Sequence, residues 1–163
     1  MTRVKSATQG RRADLGARGR STPHHRRSAV PRLTVDEAFI ALLIGAMDAN
    51  RHVSREELAR AHHIIWSMKR YRRKSGEHVN RLIDAMRTLI DERGALPIID
   101  AATRVIPARL RPAAYALAAD LVLADGKMEP AERRFLDRLG TDLVLPRPAT
   151  AGILDAMLVK NSA

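Results

Sequence analysis

The sequence predicts an all-α domain of seven helices, and three observations carry that expectation. Aromatic residues make up only 3% of the 163 residues, and no segment alternates apolar and polar residues for long, so strand signals are missing. Residues that start and stop helices recur from Leu33 onward. Two stretches offset by 75 residues also repeat one another's pattern.

Taken in order, Thr34-Val-Asp-Glu37 is a capping box, in which the Thr oxygen takes an exposed backbone N–H and the Glu reaches back. The first helix follows, with Phe39, Leu42, Leu43 and Ala46 on one face and Ile40, Ile44 and Met47 over most of the rest. A helix apolar almost all round belongs in the middle of the domain. Ser54-Arg-Glu-Glu57 is a second capping box, opening a helix to about Arg70. The third helix spans about 76–93 and stops at Gly94; a short fourth begins at Pro97. The fifth starts at Pro112 and runs through AAYALAADLVLA, the sixth starts at Pro130 and the seventh at about Pro148.

The fifth and sixth helices repeat the first and second. Ala41, Leu42, Ala49, Val53 and Glu57 fall on Ala116, Leu117, Ala124, Met128 and Glu132, and LIDAM at 82–86 matches ILDAM at 153–157. The expectation is two pseudo-repeated three-helix units joined by a short helix, with the first and fifth helices at the centre.

Charge divides the chain. Residues 1–32 hold nine Arg or Lys and one acid, Asp14, a net of +8 of the total +11. With one Leu and no aromatic residue, this tail is too poor in apolar surface to offset the entropy of ordering, so 1–32 reads as disordered and 33–163 as the domain. An Arg-rich tail suits nucleic acid or an anionic membrane; a transit peptide, a solvated extension and a misassigned start are the competing readings. No Cys is present, which excludes a disulfide framework and thiolate metal sites and suits the cytoplasm. The longest apolar runs, such as FIALLIGAM, fall short of a membrane span, and no secretory leader is visible.

The run AAYALAADLVLADGKMEPAERRFLDRLGTDLVLP carries a resemblance. Its Ala/Leu-rich helix, ADG, apolar residue two later and Glu four after that resemble the tellurite-resistance TerB-like family, over about 33–160 and most closely over 113–146. The domain also stands at the front of DjlA-type co-chaperones. The resemblance implies a seven-helix bundle in a cytoplasmic, non-enzymatic stress or tellurite-resistance module. It also implies binding of divalent cations and protein partners, sometimes near the membrane. The acidic residues it carries over are Asp125 and Glu132. In the first copy Glu57 matches Glu132, and Asp48 is a nearby acid; Asn50-Arg51 stands where the second copy has Asp-Gly.

Ligand counting limits the cation reading. With Glu132 as the twelfth residue of a calcium loop, Leu121 and Leu123 take the first and third places. Asp125, the Lys127 carbonyl and Glu132 are then too few for the roughly six to eight oxygens calcium takes. A full EF-hand is excluded. What is left is a weak, open calcium or magnesium site at Asp125 and Glu132, with Asp48 and Glu57 as its first-copy counterpart. The competing account is structural: Gly126 ends one helix in the left-handed region, and Glu132 caps the next.

Asp120 interrupts an apolar helix and needs a partner; an arginine such as Arg109 or Arg111 is expected to supply one. The adjacent His62 and His63 diverge by about 100° on a helix and read as ordinary histidines rather than ligands. No nucleophile elbow, phosphate loop or Cys points to an enzyme. Lys69, Arg70, Arg72, Arg73 and Lys74, around Tyr71, form a basic cluster at the expected end of the second helix. It is either a solvated helix end facing the dipole or, with the tail, a footprint for nucleic acid or anionic lipid.

Overall fold

Seven α-helices form in the computed structural model, which describes residues 32–50, 55–124 and 126–162; no strand occurs among them. They are α1 (Val35–Met47), α2 (Arg55–Ser67), α3 (Gly76–Arg93), α4 (Ala95–Val105), α5 (Arg111–Val122), α6 (Pro130–Asp142) and α7 (Arg147–Asn161). The expected disorder of the tail falls outside the described residues, as does Ser54 of the second capping box.

The first capping box forms as its residues dictate. The Thr34 backbone N–H donates to Glu37 Oε2 at 2.7 Å, and the Glu37 N–H donates to Thr34 Oγ1 at 3.2 Å. Behind this cap every residue of α1 from Ala38 to Leu43 is buried. Helix α1 packs against α2, α3, α4 and α5, and α5 packs against α1, α2, α6 and α7. These two Ala- and Leu-rich helices are therefore the centre, because only a helix without a polar face can be covered on all sides. Close approach of α4 depends on Gly45: a Cβ there would stand 2.6 Å from Ile99 Cδ1.

Helix α6 begins at Pro130 as expected, while α4, α5 and α7 begin a residue or two before the prolines that predicted them. Pro97 lies in the first turn of α4, and α5, α6 and α7 each carry Pro at one of their first two positions, where a missing N–H leaves no intrahelical bond unmade. Gly94 and Gly126 take positive φ, at +82° and +75°. Gly94 directly follows α3, whereas α5 already ends at Val122 with Leu123 as its cap, so Gly126 belongs to the turn beyond α5 and not to its end as expected. The bounds of α2 and α6 differ by 75 residues at both ends. Helix α2 lies on α5, and α6 lies on the 3-10 turn Asp48–Asn50 after α1.

Two further expectations are corrected. Helix α2 stops at Ser67, short of Arg70, and the chain continues in turns to Lys74. Tyr71 is the cause: its ring is buried and its hydroxyl donates to the Asp36 carbonyl at 2.7 Å, an orientation the tighter turns supply. Asp120 does have a cation, but from α7 instead of Arg109 or Arg111. Lys160 Nζ lies 2.7 Å from both carboxylate oxygens, Asn161 Nδ2 donates at 3.2 Å, and Arg60 of α2 stands at 4.0 Å. Arg111 instead donates to the Ile106 carbonyl. One buried carboxylate thus joins α2, α5 and α7.

Candidate functional site

The residues first in line are the acids at the two helix-to-helix turns and the cations after α2. Glu132 sits in the first turn of α6 and is only 3% exposed. The Glu129 N–H donates to its Oε2 at 2.7 Å, so the carboxylate faces the helix start, where negative charge is favoured by the exposed N–H groups. Asp125 lies outside the described residues, between Ala124 and the positive-φ Gly126. On the first turn, Asp48 is exposed and follows directly on α1, while the side chain of Glu57 in α2 is not among those described. Asp48 borders a groove with Ile44, Met47, Arg55, Arg87 and Asp91. Among the described residues no three carboxylate or imidazole groups gather as metal ligands would.

The basic cluster divides into two sets. Arg70 and Lys74 turn inward onto one carboxylate: Arg70 Nη1 is 2.8 Å from Asp36 Oδ1, and Lys74 Nζ is 2.9 Å from Asp36 Oδ2. The Arg70 guanidinium also lies over the Phe39 ring, 5.3 Å from its centroid. Burial, and then the Asp36 carboxylate, push the Tyr71 hydroxyl well above its ordinary range, with Arg70 opposing. Lys69, Arg72 and Arg73 are exposed. Helix α2 ends at Ser67, so the cluster lies in the turns just beyond it; two cations hold the turn to α1 and three face water.

The histidines carry no ligand geometry. The Trp66 indole N–H donates to His62 Nε2 at 3.0 Å, and His63 is exposed. Asp36, Arg60 and Lys160 were not marked by the sequence as important, because they act across 34, 60 and 40 residues of chain, and no periodicity reports such pairs.

The family model described as tellurite resistance protein TerB matches residues 36–153, from the first turn of α1 into α7. The chain belongs to the TerB family. The seven-helix bundle is the TerB-like all-α fold, and the match covers both acidic turns and the basic turn. No curated protein and no solved structure matches the chain. No helix of this TerB-family chain, among the described residues, is long and apolar enough to cross a membrane.

Proposed function

We propose that the protein is a non-enzymatic TerB-family interaction module of the cytoplasm, acting in stress or tellurite resistance, that binds a divalent cation weakly at its acidic turns. The family match over residues 36–153 carries this reading. The local geometry supports a narrow form of it. Glu132 already serves α6 as a cap, so calcium or magnesium at this turn relies on Asp125, backbone carbonyls and water, and binds loosely. An apolar groove of about 330 Å³ borders the same turn, with Leu123 and Gly126 on one side and Leu158 and Val159 on the other. It offers a protein partner a surface whose order a bound cation would influence. Calorimetric titration with calcium, magnesium and zinc tests the cation part on the wild type and on Asp125→Asn, which leaves the Glu132 cap intact. Binding that Asp125→Asn weakens supports the reading; no heat at millimolar metal leaves an interaction module without a cation.

A second reading rests on a different observation: Lys69, Arg72 and Arg73 face water together, and residues 1–32 add a net charge of +8. That combination suits nucleic acid or an anionic membrane, with affinity falling steeply as salt rises. Deleting 1–32 and replacing the three outward cations by Gln should each reduce retention on DNA, RNA or anionic vesicles. Unchanged retention in both, or none at low salt, removes this reading.

A further inference from the structure

A groove of about 430 Å³ opens between α6 and the start of α7, lined by Tyr115, Arg133, Asp137, Thr141, Arg147 and Thr150 among others. Its floor is built by close packing. Gly140 of α6 carries no side chain, and a Cβ there would lie 2.9 Å from Thr150 Cγ2 and 3.5 Å from Tyr115 Cε2. The Tyr115 ring edge therefore lies close to α6, and Tyr115 also lines the groove.

Three features of the lining point the same way. Tyr115 is 2% exposed, and its hydroxyl has no hydrogen-bond partner among the described residues; a buried hydroxyl left so is costly unless something in the groove accepts its proton. Arg147 occupies the first position of α7, where the positive end of the helix already lies, and no acid stands in that first turn. Arg133 is the second cation, paired with Asp137 at 3.6 Å in an exposed setting, where such pairs hold their partners weakly. The lining thus sets two arginines against one aspartate. The Thr141 and Thr150 hydroxyls already donate to the Asp137 and Arg147 carbonyls, so the donors left to the groove are those of Arg147, the Arg133 N–H groups not facing Asp137, and the phenol. Burial first, and Asp137 next, raise the Tyr115 hydroxyl above its usual range while Arg133 opposes, which keeps it a proton donor.

We propose that this groove binds a phosphate group, held by Arg133, Arg147 and the Tyr115 hydroxyl. Arginine forks match the geometry of phosphate oxygens, the start of α7 adds its favourable potential, and Asp137 limits affinity. The proposal is independent of the cation reading, because it uses none of Asp48, Glu57, Asp125 and Glu132.

Full-length protein titrated with inorganic phosphate, and separately with glycerol phosphate, against chloride of equal ionic strength, tests it by NMR. Saturable shifts at the Gly140, Thr141 and Thr150 amides are expected, in the millimolar range. Arg147→Gln and Tyr115→Phe should each weaken binding about tenfold, as loss of one charged or hydroxyl donor does, whereas Asp137→Asn should strengthen it. Melting curves of the variants establish that they fold. Saturation by inorganic phosphate alone identifies a free-ion site; saturation by the ester too identifies one open to a phosphorylated molecule. No saturation with either by about 50 mM, far weaker than a two-arginine site, overturns the proposal. So do shifts that survive Arg147→Gln and Tyr115→Phe, or binding that Asp137→Asn abolishes.

Discussion

Val144 holds a backbone conformation that its side chain disfavours. Its φ is +54°, and it is 72% exposed, so no packing compensates. The reason is the end of α6: the Val144 N–H donates to the Thr141 carbonyl and the Leu145 N–H to the Gly140 carbonyl, both at 2.9 Å. This is the paired arrangement that closes a helix with one left-handed residue, usually glycine. Val144→Gly is expected to raise stability by about 0.5–1 kcal/mol, the left-handed strain of a β-branched residue less the entropy glycine adds to the unfolded chain. The shift in urea midpoint, with an unchanged slope, measures it. Tyr71 governs behaviour at alkaline pH. Its folded-state pKa is raised above the unfolded value of 10.0, so its contribution is whole below about pH 10 and lost as pH climbs toward the folded value. Tyr115 is shifted the same way. With two tyrosines in the chain, both shifted upward, tyrosinate absorbance should appear above pH 10, with Tyr71 last and together with unfolding; ionisation of both below pH 10 would contradict this.

Between elements, the Asp120 carboxylate acts as a joint. It is 8% exposed and receives Lys160 and Asn161 from α7, whose residues are otherwise all partly or fully exposed. A shallowly packed helix gains from a polar anchor, and a buried charge deprived of its partner is costly. Lys160→Met is expected to destabilise by about 2 kcal/mol, less than a fully buried pair because the lysine is half exposed. The double replacement Asp120→Leu/Lys160→Met should cost less than Lys160→Met alone, since no buried carboxylate is left short of its cation and Arg60, the other nearby charge, is partly exposed. Thermal melts of the three proteins compare them directly. Helix α7 itself was legible from its proline start and ILDAM pattern, but its lysine was not, because Asp120 and Lys160 share no element and no period.

For the whole molecule, the two central helices and the charge asymmetry set the expectations. Helices α1 and α5 together supply nearly half of the buried core side chains, while residues 1–32 supply +8 of the +11 net charge. Removing residues 1–31 is therefore expected to leave unfolding cooperative, with stability changed by less than about 0.5 kcal/mol, while the protein's retention on a cation exchanger falls sharply. A large loss of stability would show that the tail packs on the domain. We also infer that the two three-helix units are equivalent halves, which the common 75-residue offset of α2 and α6 supports.

The stretch from Ala124 to Glu132 and its relatives show what was decided where. Helix order, the caps at Thr34 and Glu132, the stop at Gly94, and the central place of α1 and α5 followed from sequence alone, because propensity, capping and apolar period are local properties. Only tertiary structure decided that Lys160 rather than Arg109 or Arg111 meets Asp120, that Tyr71 ends α2 at Ser67, and that Tyr115, Arg133 and Arg147 share a groove. Each of those outcomes depends on how helices distant in sequence pack. A buried polar group takes whichever partner the packing brings within about 3 Å, and nothing in the spacing of residues along the chain specifies which one that is.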